Sequence, residues 1–364
     1  MDSNDVILFE THASPGGQKV AFATLNSEKT LNSLSAAMIE ALTPQLDAWA
    51  KDTSVALVVL RGAGEKAFCA GGDIRALYDE MIRVPLGQPV ENANKFFALE
   101  YELDQKIHTY PKPILCLGHG IVMGGGLGLM AGSSHRVVSE RSLIAMPEIT
   151  IGLYPDVGAS WFLNRMPGRT GLYLGLTGTR LNAADALFVK LADHFVPRSE
   201  HAALIARVLS ESWSSDSRDN HRSLSKICRG FHHRHSGSLP ESAVRSHYDF
   251  IGEITDADTV VEIFEKFSQL QIEDPWVLSG KKSFLAGSPT SAAVIFEQLS
   301  HTRHFSLAQC FEFEFQLSKG FAQHPDFREG IRALIIEKDN APRWTPAHAS
   351  EVRWTNVRKM LAGS

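Results

Sequence analysis

The chain has no two cysteines close enough in sequence to share a metal or a short bridge. Its four, Cys69, Cys116, Cys228 and Cys310, are widely separated. That spacing excludes a CxxC zinc site and a disulfide framework, and it fits a reducing compartment. Long apolar runs are missing too. Stretches such as Ile114 to Leu117 fall far short of the roughly 20 residues a membrane helix needs. There is little surplus charge: 36 Lys and Arg stand against 41 Asp and Glu, a net −5. This balance leaves no electrostatic footprint for nucleic acid or an anionic membrane, so neither is expected as a partner. Three common motifs are also absent. A GxGxxG fingerprint read from Gly124 fails at Leu129, and the same cluster lacks the Lys-Ser/Thr of a phosphate loop. Gly158-Ala159-Ser160 runs into Trp161-Phe162, so no GxSxG elbow forms and a serine hydrolase is not supported.

What is present is ordinary globular material. Over 364 residues, 44% are hydrophobic and 21% charged, enough for a large core and against disorder or coiled coil. Met1 to Glu10 hold two Asp and one Glu but no Lys or Arg, unlike a secretory or mitochondrial leader, so a cytoplasmic location is the expectation.

The first half alternates strands and helices. Val6 to Phe9 and Val20 to Leu25 flank a turn at Ser14-Pro15-Gly16-Gly17. After Ser35, a plausible N-cap, Met38, Ile39, Leu42, Leu46 and Trp49 recur at helical spacing. Ala56 to Leu60 and Ile114 to Leu117 are apolar runs of the kind buried on both faces of a parallel sheet. The fold class is therefore α/β. Ala183 to Leu187 and Ala202 to Leu209 suggest helices, whereas the Ser-, Arg- and His-rich stretch Ser210 to Pro240 suggests a loop. From Thr259 helical periodicity dominates. The expected division is a core over 1–200 and a mainly helical region over 201–364.

Two glycine clusters follow strands: Ala70-Gly71-Gly72-Asp73-Ile74, and Met123-Gly124-Gly125-Gly126-Leu127-Gly128. Glycines at a strand-to-helix turn serve either tight packing or close approach of a ligand to backbone N–H groups, which can hold an oxyanion. Further on, Glu148 and Asp156 lie in a mostly apolar stretch broken by Pro and Gly. They are either solvated loop acids or buried carboxyls with raised pKa, suited to acid–base work. His232-His233-Arg234-His235 lacks nearby Cys or carboxylate partners and is expected to be an exposed basic arm; no metal site is expected.

Taken together, Lys29 to Leu34, Lys66 to Ile74, Pro113 to Gly128, and Pro147-Glu148 with Gly152 and Pro155 resemble the crotonase (enoyl-CoA hydratase/isomerase) superfamily, in family order over roughly residues 5–200. The resemblance implies a crotonase-like spiral of ββα units with a mainly helical C-terminal region, and an acyl-CoA thioester substrate. It also implies an oxyanion hole from the Gly72 and Gly125 N–H groups. Ala70, Gly71, Asp73 and Ile74 would lie near the adenine end of coenzyme A. Family members commonly form trimers through C-terminal helices, which makes a homo-oligomer an expectation.

One departure bears on the reaction. Hydratases of the family use two glutamates, and the position of the first is Gly128 here. Glu148 remains, and Asp156 stands where the hydratases carry glycine. The subgroup with this pattern hydrolyses the thioester of 3-hydroxyisobutyryl-CoA in valine breakdown. Ser288 to Ser291, Phe313 to Ser318, and Asp326 to Asp339 with Pro342-Arg343-Trp344 resemble its C-terminal region. Glu100 falls where those hydrolases carry a substrate-contacting Glu. The implied roles are Gly72 and Gly125 on the oxyanion, Glu148 as nucleophile or base, and Asp156 as orienting group and proton manager. The resemblance implies no metal or redox cofactor, coenzyme A being part of the substrate. Isomerases of the family share the eight-residue spacing of the two acids. Enoyl-CoA hydration or isomerisation is thus the alternative, with a non-catalytic acyl-CoA binder as the third reading.

Overall fold

The computed structural model describes residues 5–362, so the first four residues of the acidic N-terminal stretch lie outside it. Among the described residues nine strands form two sheets: β1 (Ile7–Ala13), β2 (Lys19–Leu25), β3 (Val55–Gly62), β4 (Ala67–Cys69), β5 (Ile114–Gly118), β6 (Ile121–Met123), β7 (His135–Val138), β8 (Leu143–Ala145) and β9 (His194–Phe195). The larger sheet runs β1-β2-β3-β5-β7-β9 and the smaller β4-β6-β8. β1 pairs antiparallel with β2 through the predicted turn, and the rest of the large sheet is parallel. Each successive strand pair (β3/β4, β5/β6, β7/β8) sends its first member to the large sheet and its second to the small one. That repeat is the spiral expected from the motifs.

The apolar runs form the central strands. Val55 to Leu60 and Ile114 to Gly118 are buried throughout, as parallel strands covered on both faces must be. The helix Ala36–Lys51 is capped by the Ser35 side chain, which accepts from Met38 N–H, and it buries the five predicted apolar positions.

The stretch expected to be a loop over 210–240 is instead mostly a helix, Ser217–His235, capped by Asp216. Its composition is polar, but Asn220, Leu224, Ile227, Cys228 and Phe231 are buried at helical intervals. Leu224, Ile227, Cys228 and Phe231 join Val20, Phe22, Val59 and Leu115 in one core cluster. The His-rich segment is therefore the last turn of a packed helix and not a free arm. His232 Nδ1 accepts the Phe195 N–H at 3.0 Å, tying that turn to β9.

Every described element after β9 is helical. In space the chain forms two compact units that it visits in turn. The first comprises 1–72, 102–144 and 181–242, and holds the large sheet; the second comprises 73–101, 145–180 and 243–364. Among the described residues no helix is long and apolar enough to cross a membrane.

Candidate active site

In the first unit the two glycine clusters are pressed against each other. A Cβ on Gly126 would lie 2.3 Å from the Cys69 carbonyl oxygen, and one on Gly71 would lie 3.4 Å from that of Met123. Gly71 has φ +112, in the left-handed region that favours glycine. Leu34 N–H donates to Gly71 O at 2.8 Å, and Leu34 bridges Gly72 as an isolated strand pair. Ala70 N–H donates to Leu31 O at 3.1 Å. The packing role of these glycines is thus real. It leaves Gly125 as the first residue of the helix Gly125–Gly132, where an N–H has no carbonyl of its own helix to bind and sits at the positive dipole end. All eight residues of that helix are buried, and Gly128 brings no carboxylate to it. Asp73 and Ile74 belong to the second unit, where Asp73 is the N-cap residue of the helix Ile74–Met81.

In the second unit the carboxyls gather. Glu100 lies on the helix Glu91–His108, Glu148 opens the short turn Glu148–Ile151, and Asp156 follows it. They are 2%, 5% and 4% exposed, which settles the choice between solvated and buried acids. Glu100 Oε1 and Glu148 Oε2 have no hydrogen-bond partner among the described residues. Burial, and then the neighbouring Asp156 carboxyl, push Glu100 well above the carboxylate range. Burial, then Asp156 and more weakly Glu100, do the same to Glu148. Asp156 is pushed up to about 6, again by burial. Three buried carboxyls that act on one another cannot all ionise together, so charges and protons are shared out.

Four residues that the sequence did not single out support this cluster. Glu314 and Ser318 lie four apart, on one face of the helix Leu307–Gln323, and both are buried. The Glu314 carboxyl accepts Gly158 N–H through Oε2 and Ser160 N–H through Oε1, each at 2.7 Å. These bonds hold a strained turn: Val157, β-branched, has φ +51 next to Gly158 at φ +89. Tyr101 Oη lies 2.6 Å from Asp156 Oδ2 and 2.6 Å from Ser318 Oγ. Tyr154 Oη lies 2.7 Å from Ser318 Oγ and donates to the Glu314 carbonyl at 2.6 Å. Two polar residues at i and i+4 on the face that otherwise carries Cys310, Phe311, Phe313, Leu317 and Phe321 were the available signal.

The C-terminal segments also clamp the Glu148 turn. A Cβ on Gly152 (φ +70) would meet the Asp326 carbonyl oxygen at 2.3 Å, and one on Gly330 would meet that of Ile151 at 2.2 Å. Ser288 N–H donates to Ile149 O at 3.1 Å, while Ser288 Oγ donates to Asp326 Oδ2 at 2.6 Å. Removing the chain beyond about residue 280 takes away all of these partners and bares the apolar surface they cover. Such a truncation is expected to aggregate or to lose activity, read as soluble yield and thiol release. A soluble, fully active fragment would show that the C-terminal region contributes nothing to the site.

Among the described residues no group of three or more His, Cys, Asp or Glu is arranged to hold a metal ion.

A family model described as enoyl-CoA hydratase/isomerase matches residues 20–361. The chain is 36% identical over 362 residues to a protein of Dictyostelium discoideum named 3-hydroxyisobutyryl-CoA hydrolase, mitochondrial, covering 98% of this chain and 91% of that one. A human protein of the same name is 36% identical over 352 residues, covering 96% and 87%. Among solved structures, an enoyl-CoA hydratase from Rhodobacter sphaeroides superposes with TM-score 0.84 at 32% identity, covering 98% and 97% of the two chains. A carnitinyl-CoA dehydratase from Mycobacterium thermoresistibile gives 0.86 at 31%, covering 98% and 96%. The C-terminal helical region is included in these matches, as is the spiral that the sequence motifs implied. The chain belongs to the enoyl-CoA hydratase/isomerase family.

Proposed function

We propose that the chain is an acyl-CoA thioester hydrolase acting on 3-hydroxyisobutyryl-CoA, releasing the free acid and coenzyme A in valine breakdown. The observation that carries this reading is the asymmetry of the acids. The helix Gly125–Gly132 offers no carboxylate, while Glu148 and Asp156 are buried together in the second unit. Addition of water to a double bond draws on two glutamates in this family, and one of them is missing. Thioester hydrolysis needs a polarised carbonyl, one carboxylate and a proton donor. In this reading the Gly72 and Gly125 N–H groups polarise the carbonyl and hold the tetrahedral oxyanion. Glu148 acts as nucleophile or as base for water, Asp156 manages the proton, and Glu100 contacts the substrate. Ala70, Gly71, Asp73 and Ile74 serve coenzyme A. The chemistry calls for no metal or redox cofactor. The relatives named as this hydrolase support the substrate, and their length match extends the support to the C-terminal region.

The structural neighbours carry hydratase and dehydratase names, so alkene chemistry is the alternative to exclude. The deciding experiment measures free thiol release from a panel of acyl-CoAs beside hydration of crotonyl-CoA. Rapid thiol release from 3-hydroxyisobutyryl-CoA with slow hydration is expected. Efficient hydration with the hydroxy-thioester left intact would overturn the hydrolase reading, and binding without either reaction would leave an acyl-CoA binder. A cytoplasmic location and self-association as a homo-oligomer complete the proposal. Fractionation of the source cells and light scattering test them.

A further inference from the structure

The hydroxyl chain beside Asp156 holds a proton count that decides which carboxyl of the cluster is neutral. Four short contacts run in line: Asp156 Oδ2 to Tyr101 Oη at 2.6 Å, Tyr101 Oη to Ser318 Oγ at 2.6 Å, Ser318 Oγ to Tyr154 Oη at 2.7 Å, and Tyr154 Oη to the Glu314 carbonyl at 2.6 Å. Each oxygen pair at such a separation needs one proton between its members. The far end is a carbonyl, which accepts only, and the three hydroxyls own three protons. Tyr154 must therefore donate to Glu314, Ser318 to Tyr154, and Tyr101 to Ser318. The fourth contact has no hydroxyl proton left.

We infer that Asp156 supplies that proton: it is a protonated member of the acid cluster, donating into a one-way chain through Tyr101, Ser318 and Tyr154. The inference rests on the proposed hydrolase mechanism for its use, and on the contacts alone for its form. With Asp156 ionised, any assignment of the three protons leaves one pair of oxygens face to face without a proton, in a site where an unmade bond is costly. The chain is dry. Tyr101, Tyr154 and Ser318 are buried, and the rings of Phe311 and Phe321 lie 6.2 Å and 5.2 Å from those of Tyr101 and Tyr154.

The groups facing Asp156 come from four elements. Glu100 and Tyr101 face it from the helix Glu91–His108, Glu148 from its turn, Tyr154 from its own segment, and Glu314 from the C-terminal helix. None of the groups shifting it is a cation; burial pushes it up to about 6, against the lowering effect of its own backbone N–H. A Tyr101 that donated to Asp156 would pull it back down, but that arrangement is the one short of a proton. In one turnover the C–S bond breaks and sulfur leaves with the bonding pair, taking the Asp156 proton. Tyr101 and Ser318 then turn to donate toward the new carboxylate. Water supplies the hydroxyl that completes the acid and the proton that restores Asp156. Tyr101, Ser318 and Tyr154 are positioning residues that act through Asp156.

The test is an isotope-edited infrared titration of Asp156 in the full-length free enzyme, assigned against Asp156→Asn. Wild type should show a protonated carboxyl at neutral pH. Tyr154→Phe removes the acceptor for Ser318 and frees it to donate toward Tyr101, which then donates to an ionised Asp156. Ser318→Ala likewise leaves Tyr101 no acceptor but Asp156. Both should lower the titration midpoint by about one pH unit, the scale of one hydrogen bond. Ser318→Thr keeps the hydroxyl and should keep the midpoint. A chain that merely braces the fold would lower thermal stability in Tyr154→Phe and Ser318→Ala without moving the midpoint. That result, or an Asp156 ionised in wild type at neutral pH, overturns the inference. The titration needs no substrate. A wild type that fails to release thiol would therefore sink the hydrolase reading and leave this result standing.

Discussion

Glu148→Gln is expected to lower thiol release from 3-hydroxyisobutyryl-CoA by about 10²–10⁴-fold, with Asp156→Asn reduced by a comparable factor. Gln copies the shape of Glu148 at the head of its turn and removes the charge, so the turn should stand while the chemistry fails. The expectation has a pH signature. Glu148 works ionised, and burial and the neighbouring acids raise its folded pKa. Its ionised fraction therefore grows as pH rises, and the acid limb of the wild-type profile should lie above the ordinary carboxylate range. Circular dichroism beside the thiol assay separates chemistry from folding. A folded Glu148→Gln enzyme with near-normal turnover would remove Glu148 from the reaction.

The second large effect is on the oxyanion side. Gly125→Pro should lower turnover by about 10²–10³-fold, the usual cost of deleting one donor from an oxyanion hole. Proline suits this position better than most. Gly125 is the first residue of its helix, where proline's fixed φ is already helical and the missing N–H costs no helical bond. The preceding residue is a glycine at φ 48, ψ −127, so no Cβ stands in the way of the ring. A folded variant of unchanged kcat would show that the Gly125 N–H never meets the developing charge.

How much of this was legible in the sequence differs from element to element. The glycine turns, the Glu148–Asp156 loop and the C-terminal segments were readable because each is a local pattern with its own spacing. The helix Ser217–His235 is poorly legible, because its Ser, Arg and His content masks the apolar stripe of Leu224, Ile227, Cys228 and Phe231. The hydroxyl chain was illegible for a different reason. Tyr101, Tyr154 and Ser318 lie in three distant parts of the chain, and nothing in a single sequence says that their oxygens meet. Glu314 and Ser318 came nearest to being legible, as buried polar residues one turn apart. The segment Phe313 to Ser318 carries a family likeness, which does not say what those two side chains do.

The interleaving of the two units has a consequence for how the protein comes into being. Synthesis runs from the N-terminus, and the first unit has all its strands once residue 242 has emerged. The second unit contains Glu148 and Asp156 but waits for residues 243–364, including Glu314, Ser318 and Asp326, before it can close. Until then Tyr101 lacks Ser318, and Tyr154 lacks the Glu314 carbonyl. Contacts as distant as Tyr101 with Ser318 are slow to form because a long loop must close first. The acid cluster is therefore assembled near the end of translation or after release. A chain stalled on the ribosome before that point would carry every glycine of the first unit and remain catalytically silent.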